Sequence, residues 1–219
     1  MNSREKMMGL KVVVQRRRLL SVMLFLILSV DISAVAAITP LEQIRTTVQG
    51  IVGIMRNQEL RKPENRKKRR DEIVALVNRR FDFEEMSKLT LAYKWRDLDQ
   101  AQKKQFETLF AELLKDTYIG RIDAYSNEEV VFDREIFDGV NKARALVYTK
   151  ILKNNREIPI NYKLVNKNGE WFVYDVFIEG VSLVRNYRSE FIRIINEEKF
   201  PGLIKRMQEK IVTLQNKKK

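Results

Sequence analysis

The feature that most constrains this chain is the alternation of apolar and polar side chains between residues 129 and 179. The alternation falls into four runs, at residues 129–137, 141–153, 156–167 and 170–179. A period of two is typical of strands that bury one face. The runs are separated by Asp138-Gly139, Asn154-Asn155 and Asn168-Gly169. Asp-Gly and Asn-Gly favour tight hairpins because both residues tolerate positive φ, so the pattern predicts a four-stranded antiparallel meander.

Two-residue turns would fix the strand register, and the register determines which side chains share a face. One face is predicted to be almost wholly apolar. Its members are Val130, Phe132, Ala143, Ala145, Val147, Thr149, Ile151, Ile158, Ile160, Tyr162, Leu164, Trp171, Val173 and Phe177. Asp175 interrupts this face and is predicted to be a paired structural carboxylate. The residues alone leave open whether the face packs as a solid core or lines a pocket.

Helical patterns precede and follow the predicted sheet. Thr39 and Asp99 are predicted to cap helices, each with Glu or Gln three residues later. The helix after Asp99 carries an apolar stripe that includes Phe106, Phe110, Leu114 and Tyr118. Two further helices are expected near the C-terminus, broken at Pro201-Gly202. The predicted fold class is therefore α+β, with N- and C-terminal helices covering one face of the sheet.

The composition excludes several kinds of chemistry. The 219 residues contain no cysteine and no histidine, so the usual zinc, copper and haem ligands are missing. Cysteine nucleophiles and histidine-based triads are excluded for the same reason. Carboxylate or Ser/Lys chemistry remains possible, but it would need a constellation of residues that the sequence does not show. We therefore predict no metal site, no cofactor and no catalytic residue. The net charge of +13 suggests an anionic partner, either a nucleic acid, a membrane or an acidic protein surface.

The N-terminus has the pattern of a secretory signal. A basic segment ends at Arg16-Arg17-Arg18, an uncharged run covers residues 19–30, and Ala34-Val35-Ala36 offers the small residues that a signal peptidase reads. Residues 1–36 are predicted to be a signal peptide cleaved near Ala36 and Ala37, and residues 37–219 to be a single mature domain. A retained anchor helix is the alternative, and the general and twin-arginine export routes both remain open.

A block of five cations runs from Arg66 to Arg70. It is either an anionic docking patch or the solvated face of a helix. Nucleic-acid surfaces usually interleave aromatic side chains with basic ones, and this block has none. We therefore predict no nucleic-acid partner.

Several segments in order resemble the MlaC/toluene-tolerance auxiliary family of periplasmic phospholipid-binding proteins. The segments are Phe81-Asp82-Phe83-Glu84, Trp95-Arg96, Phe106, Phe110, Leu114, Thr117-Tyr118, Trp171, Tyr174-Asp175, Glu179-Gly180-Val181-Ser182, Asn186-Tyr187-Arg188 and Phe191. The resemblance covers about residues 40 to 211. Ala92 stands where this family pattern would have a glycine, which puts one local turn in doubt.

The resemblance implies a cone-like α+β domain of the nuclear-transport-factor-two type, with an apolar pocket between sheet and helices. The pocket would take the acyl chains of a phospholipid. The implied lining residues are Val130, Phe132, Ala145, Val147, Thr149, Ile160, Tyr162, Leu164, Trp171, Val173, Phe177, Phe110, Leu114 and Tyr118. Arg121, Arg185 and Arg188 are the candidates for contact with the headgroup.

The resemblance also implies a place in a transport system. A monomeric periplasmic protein of this family would carry phospholipid between an outer-membrane lipoprotein–porin complex and the lipid-binding subunit of an inner-membrane ABC transporter. Such transport maintains the lipid asymmetry of the outer membrane. Two alternatives remain open: a secreted α+β enzyme that uses the same pocket, and a structural adaptor that binds no ligand.

Overall fold

The computed structural model describes residues 38–217, so the predicted signal peptide lies outside the described residues. The α-helices are α1 Pro40–Arg56, α2 Gln58–Arg61, α3 Arg66–Arg80, α4 Phe83–Leu91, α5 Gln100–Asp123 and α6 Leu183–Asn216. Short 3₁₀ helices cover Pro63–Asn65 and Ala92–Asp97. No helix within residues 38–217 is both long enough and apolar enough to cross a bilayer.

The predicted helix caps are present. The Thr39 side chain accepts a hydrogen bond from the Glu42 amide at 3.2 Å. Asp99 and Gln102 form a reciprocal capping box, with distances of 2.8 and 3.0 Å. The last helix is interrupted at Lys199, whose φ of 63° is not helical. The break lies two residues before Pro201, which has no amide hydrogen to donate to the preceding turn and whose ring clashes with the carbonyl four residues earlier.

The sheet is an antiparallel meander, as predicted, in the order β1-β2-β3-β4-β5. Its strands are β1 Glu129–Asp138, β2 Arg144–Lys153, β3 Arg156–Lys167, β4 Glu170–Ile178 and β5 Val181–Ser182. The prediction of four strands missed β5, a two-residue edge strand. The first connection is also longer than predicted, because β1 ends at Asp138 and β2 begins only at Arg144. The α+β class is confirmed.

Two irregularities in the ladder alter the predicted faces. One lies in β1, between Phe132 and Arg134. The other lies in β4, where Lys163 pairs with Asp175 but the next residue, Leu164, pairs with Val173. The extra residue reverses the side-chain direction after it. The prediction that Phe177 faces inward is therefore wrong.

Phe177 instead pairs with Asn161 and lies on the opposite face, where the Lys163 ammonium sits 5.2 Å from its ring centroid. Val176 and Ile178 take the inward positions, opposite Tyr162 and Ile160. Asp175 is buried, and it accepts hydrogen bonds from Ser182 Oγ at 2.6 Å and the Val184 amide at 3.1 Å. It is therefore a structural carboxylate that anchors the start of α6.

The main core fills one half of the inward face. Phe106 and Phe110 of α5 pack against Tyr187 and Phe191 of α6, with ring centroids 5.4 to 5.9 Å apart across the helix pair. This cluster is continuous with strand residues that have no exposed surface, namely Val147, Leu164 and Val173. This half of the sheet is a solid core.

Ala92 follows α4 in a conformation that suits glycine. Its φ of 50° and ψ of −124° lie in a region that costs a residue with a Cβ about 1–3 kcal/mol. Ala92 therefore forms, under backbone strain, the local turn at which the family pattern would have a glycine.

We expect Ala92→Gly to stabilise the protein. Relief of the strain outweighs the roughly 0.5–1 kcal/mol of extra chain entropy that glycine brings to the unfolded state. The net gain should be about 1 kcal/mol, which raises Tm by about 2–4 °C for a chain of this size. Ala75→Gly, at an exposed helical position in α3, is the matched control and should lower stability by about 1 kcal/mol. A Tm that falls equally in both variants would contradict the strain argument.

Candidate functional site

An apolar cavity of about 510 Å³ lies between the other half of the sheet and helices α1, α3 and α5. The strands contribute Val130, Ile151, Ile158, Ile160, Tyr162, Val176 and Ile178. The helices contribute Val48, Ile51, Val52, Met55, Ile73, Val74, Val77, Leu114, Tyr118, Ile119 and Ile122. A volume of this size is typical of sites for small organic ligands. Because aliphatic side chains dominate its wall, the cavity suits the apolar part of a ligand.

The cavity takes in some of the residues predicted to line a pocket and leaves out others. Val130, Ile160, Tyr162, Leu114 and Tyr118 line it. Outside its lining lie Phe132, Ala145, Val147, Thr149, Leu164, Trp171, Val173 and Phe110, which belong to the packed interior or its edge. Phe177 lies on the opposite face of the sheet. The strand residues among them lie on the inward face of the sheet, as predicted, except Phe177. The cavity occupies only one part of that inward face.

The helical wall was not predicted. The apolar spacing in α1 was visible in the sequence, and Ile51 and Met55 belong to it. Nothing in that spacing states which part of the sheet the helix covers. The structure places α1 against β1 and β2 and α3 against β4, and both helices line the cavity together with Val130, Ile151 and Ile158.

Polar and exposed residues mark the mouth of the cavity. Asn78, Arg121, Ala124 and Glu179 belong to the lining and are exposed. The Arg121 guanidinium lies over the Tyr118 ring, 5.5 Å from its centroid. A cation at this position can meet an acidic group while the apolar part of the same ligand lies inside.

The other two headgroup candidates lie outside the cavity lining. Arg188 donates from Nε to the Leu89 carbonyl at 2.8 Å, which ties α6 to α4. Arg185 is exposed, and its backbone amide donates a hydrogen bond to Ser182 Oγ at 3.0 Å. The structure thus brings only Arg121 of the three to the mouth.

An ion pair closes one edge of the mouth. Lys153 Nζ lies 2.6 Å from Glu128 Oε1, and both residues belong to the cavity lining. Glu128 also accepts hydrogen bonds from the Ser126 amide and hydroxyl, at 2.6 and 2.9 Å. Burial acts to raise the pKa of Glu128, but the hydrogen bonds from Lys153 and Ser126 outweigh it and lower that pKa to about 2.

We expect this ion pair to make stability depend on pH in the acidic range. Because the folded-state pKa lies below the ordinary value of 4.5, the contribution is complete above that value and is lost as the pH falls from 4.5 to about 2. Screening at the mouth limits it to about 1 kcal/mol. The difference in unfolding free energy between wild type and Glu128→Gln should therefore be smaller at pH 3 than at pH 7. Glu129→Gln, at the exposed neighbouring position, is the control and should show no such change with pH. A difference in unfolding free energy for Glu128→Gln that is the same at pH 3 and pH 7 would contradict the lowered pKa of Glu128.

Tyr162 brings a polar group to the cavity wall. Burial raises the pKa of its phenol to about 12, although a side-chain hydrogen bond with Thr149 acts in the opposite direction. The phenol is therefore neutral at physiological pH and adds no charge to the cavity. Within residues 38–217 no group of carboxylates is arranged to hold a metal ion. The arrangement is thus suited to binding an amphipathic ligand, with its apolar part inside and its polar part at the mouth.

A family model described as MlaC protein matches residues 45–209. The intermembrane phospholipid transport system binding protein MlaC of Haemophilus influenzae is 28% identical over 119 residues, or 52% of this chain. That match spans 55% of the relative, only about half of its length. The toluene tolerance protein ttg2D of Pseudomonas putida is 25% identical over 171 residues, covering 77% of this chain and 79% of the relative.

The fold has a solved counterpart. The structure of the phospholipid-binding protein from Ralstonia solanacearum in complex with a phospholipid matches with a TM-score of 0.71. The match covers 79% of this chain and 97% of that one, at 22% sequence identity. At this identity the likeness establishes the shared fold.

Proposed function

The chain belongs to the MlaC family, and from this membership and the geometry of the cavity we propose that it binds a phospholipid and carries it for a lipid transport system. The family resemblance seen in the sequence is thereby confirmed. The proposed activity is binding and transfer, with no catalytic step. The proposed location is the periplasm, reached through the predicted signal peptide at residues 1–36.

The apolar cavity is the observation that carries this proposal. Two acyl chains expose about 30 methylenes, and leaving them in water would cost roughly 25 kcal/mol at about 0.8 kcal/mol each. A carrier must replace that contact with apolar wall. Val130, Ile151 and Ile158 form a continuous row across three strands in the cavity wall. Their side chains suit hydrocarbon chains and offer no polar group that would be left unpaired.

The headgroup is proposed to lie at the mouth, near Arg121. This arginine belongs to the cavity lining and is exposed to solvent. A guanidinium binds a phosphate with two parallel hydrogen bonds in favourable geometry. The phosphate would thus stay in contact with water while the acyl chains are covered.

The partners are proposed to be the two membrane complexes of such a system. They are an outer-membrane lipoprotein–porin complex and the lipid-binding subunit of an inner-membrane ABC transporter, with the protein moving between them as a monomer. This movement of phospholipid would maintain the lipid asymmetry of the outer membrane. The relatives' names support a transport role, since one relative is described as an intermembrane phospholipid transport system binding protein.

Lipid extraction from natively purified protein tests the proposal. The full chain would be expressed in a Gram-negative host and purified without detergent, and its bound lipid would be identified by mass spectrometry. We expect phospholipid in a stoichiometric amount, and a mature N-terminus at or near Ala37 by N-terminal sequencing. Protein that carries no lipid, and takes none from phospholipid vesicles, would refute the carrier and favour the ligand-free adaptor. A cytoplasmic form that begins at Met1 would refute export.

A further inference from the structure

The segment from Arg56 to Arg70 is the most basic part of the described chain, and it lies beside the cavity mouth. Its fifteen residues contain eight Lys or Arg and two Glu. The cations are Arg56, Arg61, Lys62, Arg66, Lys67, Lys68, Arg69 and Arg70. We call this set the basic segment. The nearby carboxylates Asp71, Glu72 and Asp123 reduce its excess to three positive charges.

Contacts with Asp123 fix the basic segment next to the mouth. Arg69 Nη2 lies 3.3 Å from Asp123 Oδ1, and Arg70 Nε donates to Oδ2 at 2.6 Å. Arg66 Nε is 4.0 Å from the same carboxylate. Asp123 follows Ile122 and precedes Ala124, both of which line the cavity. The start of α3 is therefore held against the end of α5 at the point where the cavity opens.

Further contacts make the basic segment rigid. Arg69 Nη1 donates to the Leu60 carbonyl at 2.8 Å, and Asn65 Nδ2 donates to the Glu59 carbonyl at 2.8 Å. Arg56 Nη2 donates at 3.2 Å to the hydroxyl of Tyr125, which lines the cavity. A pre-organised set of charges loses little entropy when it binds.

The electrostatics of α3 also favour an external anion. Its N-terminus is the positive end of the helix dipole, where acidic side chains are stabilising and cations are not. The first turn of α3 nevertheless holds no acidic residue, and Asn65 provides no side-chain cap. Arg66, Lys67 and Lys68 occupy that turn and are exposed. Arg66 and Lys67 are paired with Asp123 and Asp71, whereas Lys68 forms no ion pair within residues 38–217. The charge of Lys68 at this end of the helix therefore suits binding better than folding.

We propose that the basic segment is the docking surface for an acidic surface on a membrane-protein partner. This inference rests on the proposed carrier function and names the surface through which a lipid is handed over. Docking at this position brings the cavity mouth against the partner, so the acyl chains can pass without crossing water. Arg61 and Lys68 are exposed and form no ion pair within residues 38–217, so their charges are available to the carboxylates of a partner.

A protein partner fits this surface better than direct insertion into a bilayer. Helices that bind at a membrane interface expose a large apolar face, with Trp, Phe or Leu side chains that enter the lipid. Leu60 is the one large apolar residue between Arg56 and Arg70, and it is buried. Apart from Pro63, the exposed part of the segment is polar. It is thus complementary to a folded surface rich in Asp and Glu.

The test is a double charge reversal, Arg61→Glu with Lys68→Glu. Both side chains are exposed, neither lines the cavity, and within the described residues neither forms an ion pair. The matched control is Arg96→Glu with Lys104→Glu. Lys104 pairs with Glu107 at 3.0 Å, but exposed pairs of this kind contribute little to stability. Arg96 lies in the 3₁₀ helix before α5 and Lys104 in the first turns of α5, and both are exposed. Lys104 is roughly 30 Å from Asp123 at 1.5 Å per residue.

Binding would be measured with lipid-loaded protein and the purified periplasmic domain of the transporter's lipid-binding subunit from the same organism. We expect the Arg61 and Lys68 double variant to bind about tenfold more weakly or worse, with its lipid content unchanged. The control variant should bind within about twofold of wild type. Wild-type binding should weaken as salt is raised, because exposed charges are screened beyond about 10 Å at 0.1 M.

Other outcomes overturn the inference in distinguishable ways. Equal loss in the test and control variants would point to net charge and not to this surface. Unchanged binding in the test variant would exclude the segment. Wild type that sediments with phosphatidylglycerol vesicles but does not bind the protein domain would assign the segment to a bilayer. Wild type that docks in a salt-dependent way but carries no lipid would refute the carrier and leave the docking surface in place.

Discussion

Replacing Ile151 with glutamate is expected to remove bound phospholipid while the protein remains folded. Ile151 lies in the cavity wall between Val130 and Ile158, and it belongs to neither cluster of packed core residues. The cavity is open at its mouth, so water can reach and solvate the new carboxylate. An acyl chain cannot solvate it, and an uncompensated charge against hydrocarbon costs several kcal/mol. Bound lipid should therefore fall at least tenfold.

Lipid content and thermal melting would be measured on the same preparation. Ile151→Leu keeps the volume and the apolar character of the side chain, so it should retain lipid and change stability by less than about 1.5 kcal/mol. A folded Ile151→Glu protein that still carries lipid at the wild-type level would mean that the acyl chains do not lie in this cavity.

Local chemistry made the caps and the turns predictable, because each depends on a few neighbouring residues. Thr39 and Asp99 accept hydrogen bonds from the amides three residues later. The Asn168-Gly169 turn has positive φ at both residues. These features could be derived from the sequence without any knowledge of the tertiary structure.

The irregularity in β4 could not be derived from alternation alone. In a regular strand, Val173, Asp175 and Phe177 would share the inward face. With Tyr174 as one extra residue in the ladder, Val173, Val176 and Ile178 share that face instead. The signal that was present is Asp175 itself, a carboxylate at a position predicted to be apolar. An inserted residue removes this conflict, because it places Val176 and Ile178 inward and lets Asp175 bind Ser182 and Val184.

The position of the cavity depends on helix packing, which the sequence pattern does not specify. Large aromatic residues of α5 and α6, including Phe110 and Phe191, fill the space over one half of the sheet. Over the other half, α1 and α3 present aliphatic side chains such as Ile51 and Val77. An apolar face of uniform appearance in the sequence is therefore divided into a solid part and a hollow part.

This division leads to the opposite expectation for Val147, which lies four residues before Ile151 on the same strand and the same face. Val147 has no exposed surface and lies outside the cavity lining. It pairs with Glu135 of β1 and Tyr162 of β3, so strands flank it on both sides. A carboxylate at this position would be buried without a partner and without access to water.

Val147→Glu is therefore expected to prevent stable folding. An unpaired buried charge costs several kcal/mol, and the whole stability of a domain is about 5–15 kcal/mol. Far-ultraviolet circular dichroism and thermal melting would show a loss of the cooperative transition. Val147→Ala, which removes volume without adding charge, should remain folded and lose about 2 kcal/mol. If Val147→Glu instead folds and has lost its lipid, hydrocarbon reaches this part of the sheet when lipid is bound, and the cavity must extend toward Leu164 and Val173 in the loaded protein.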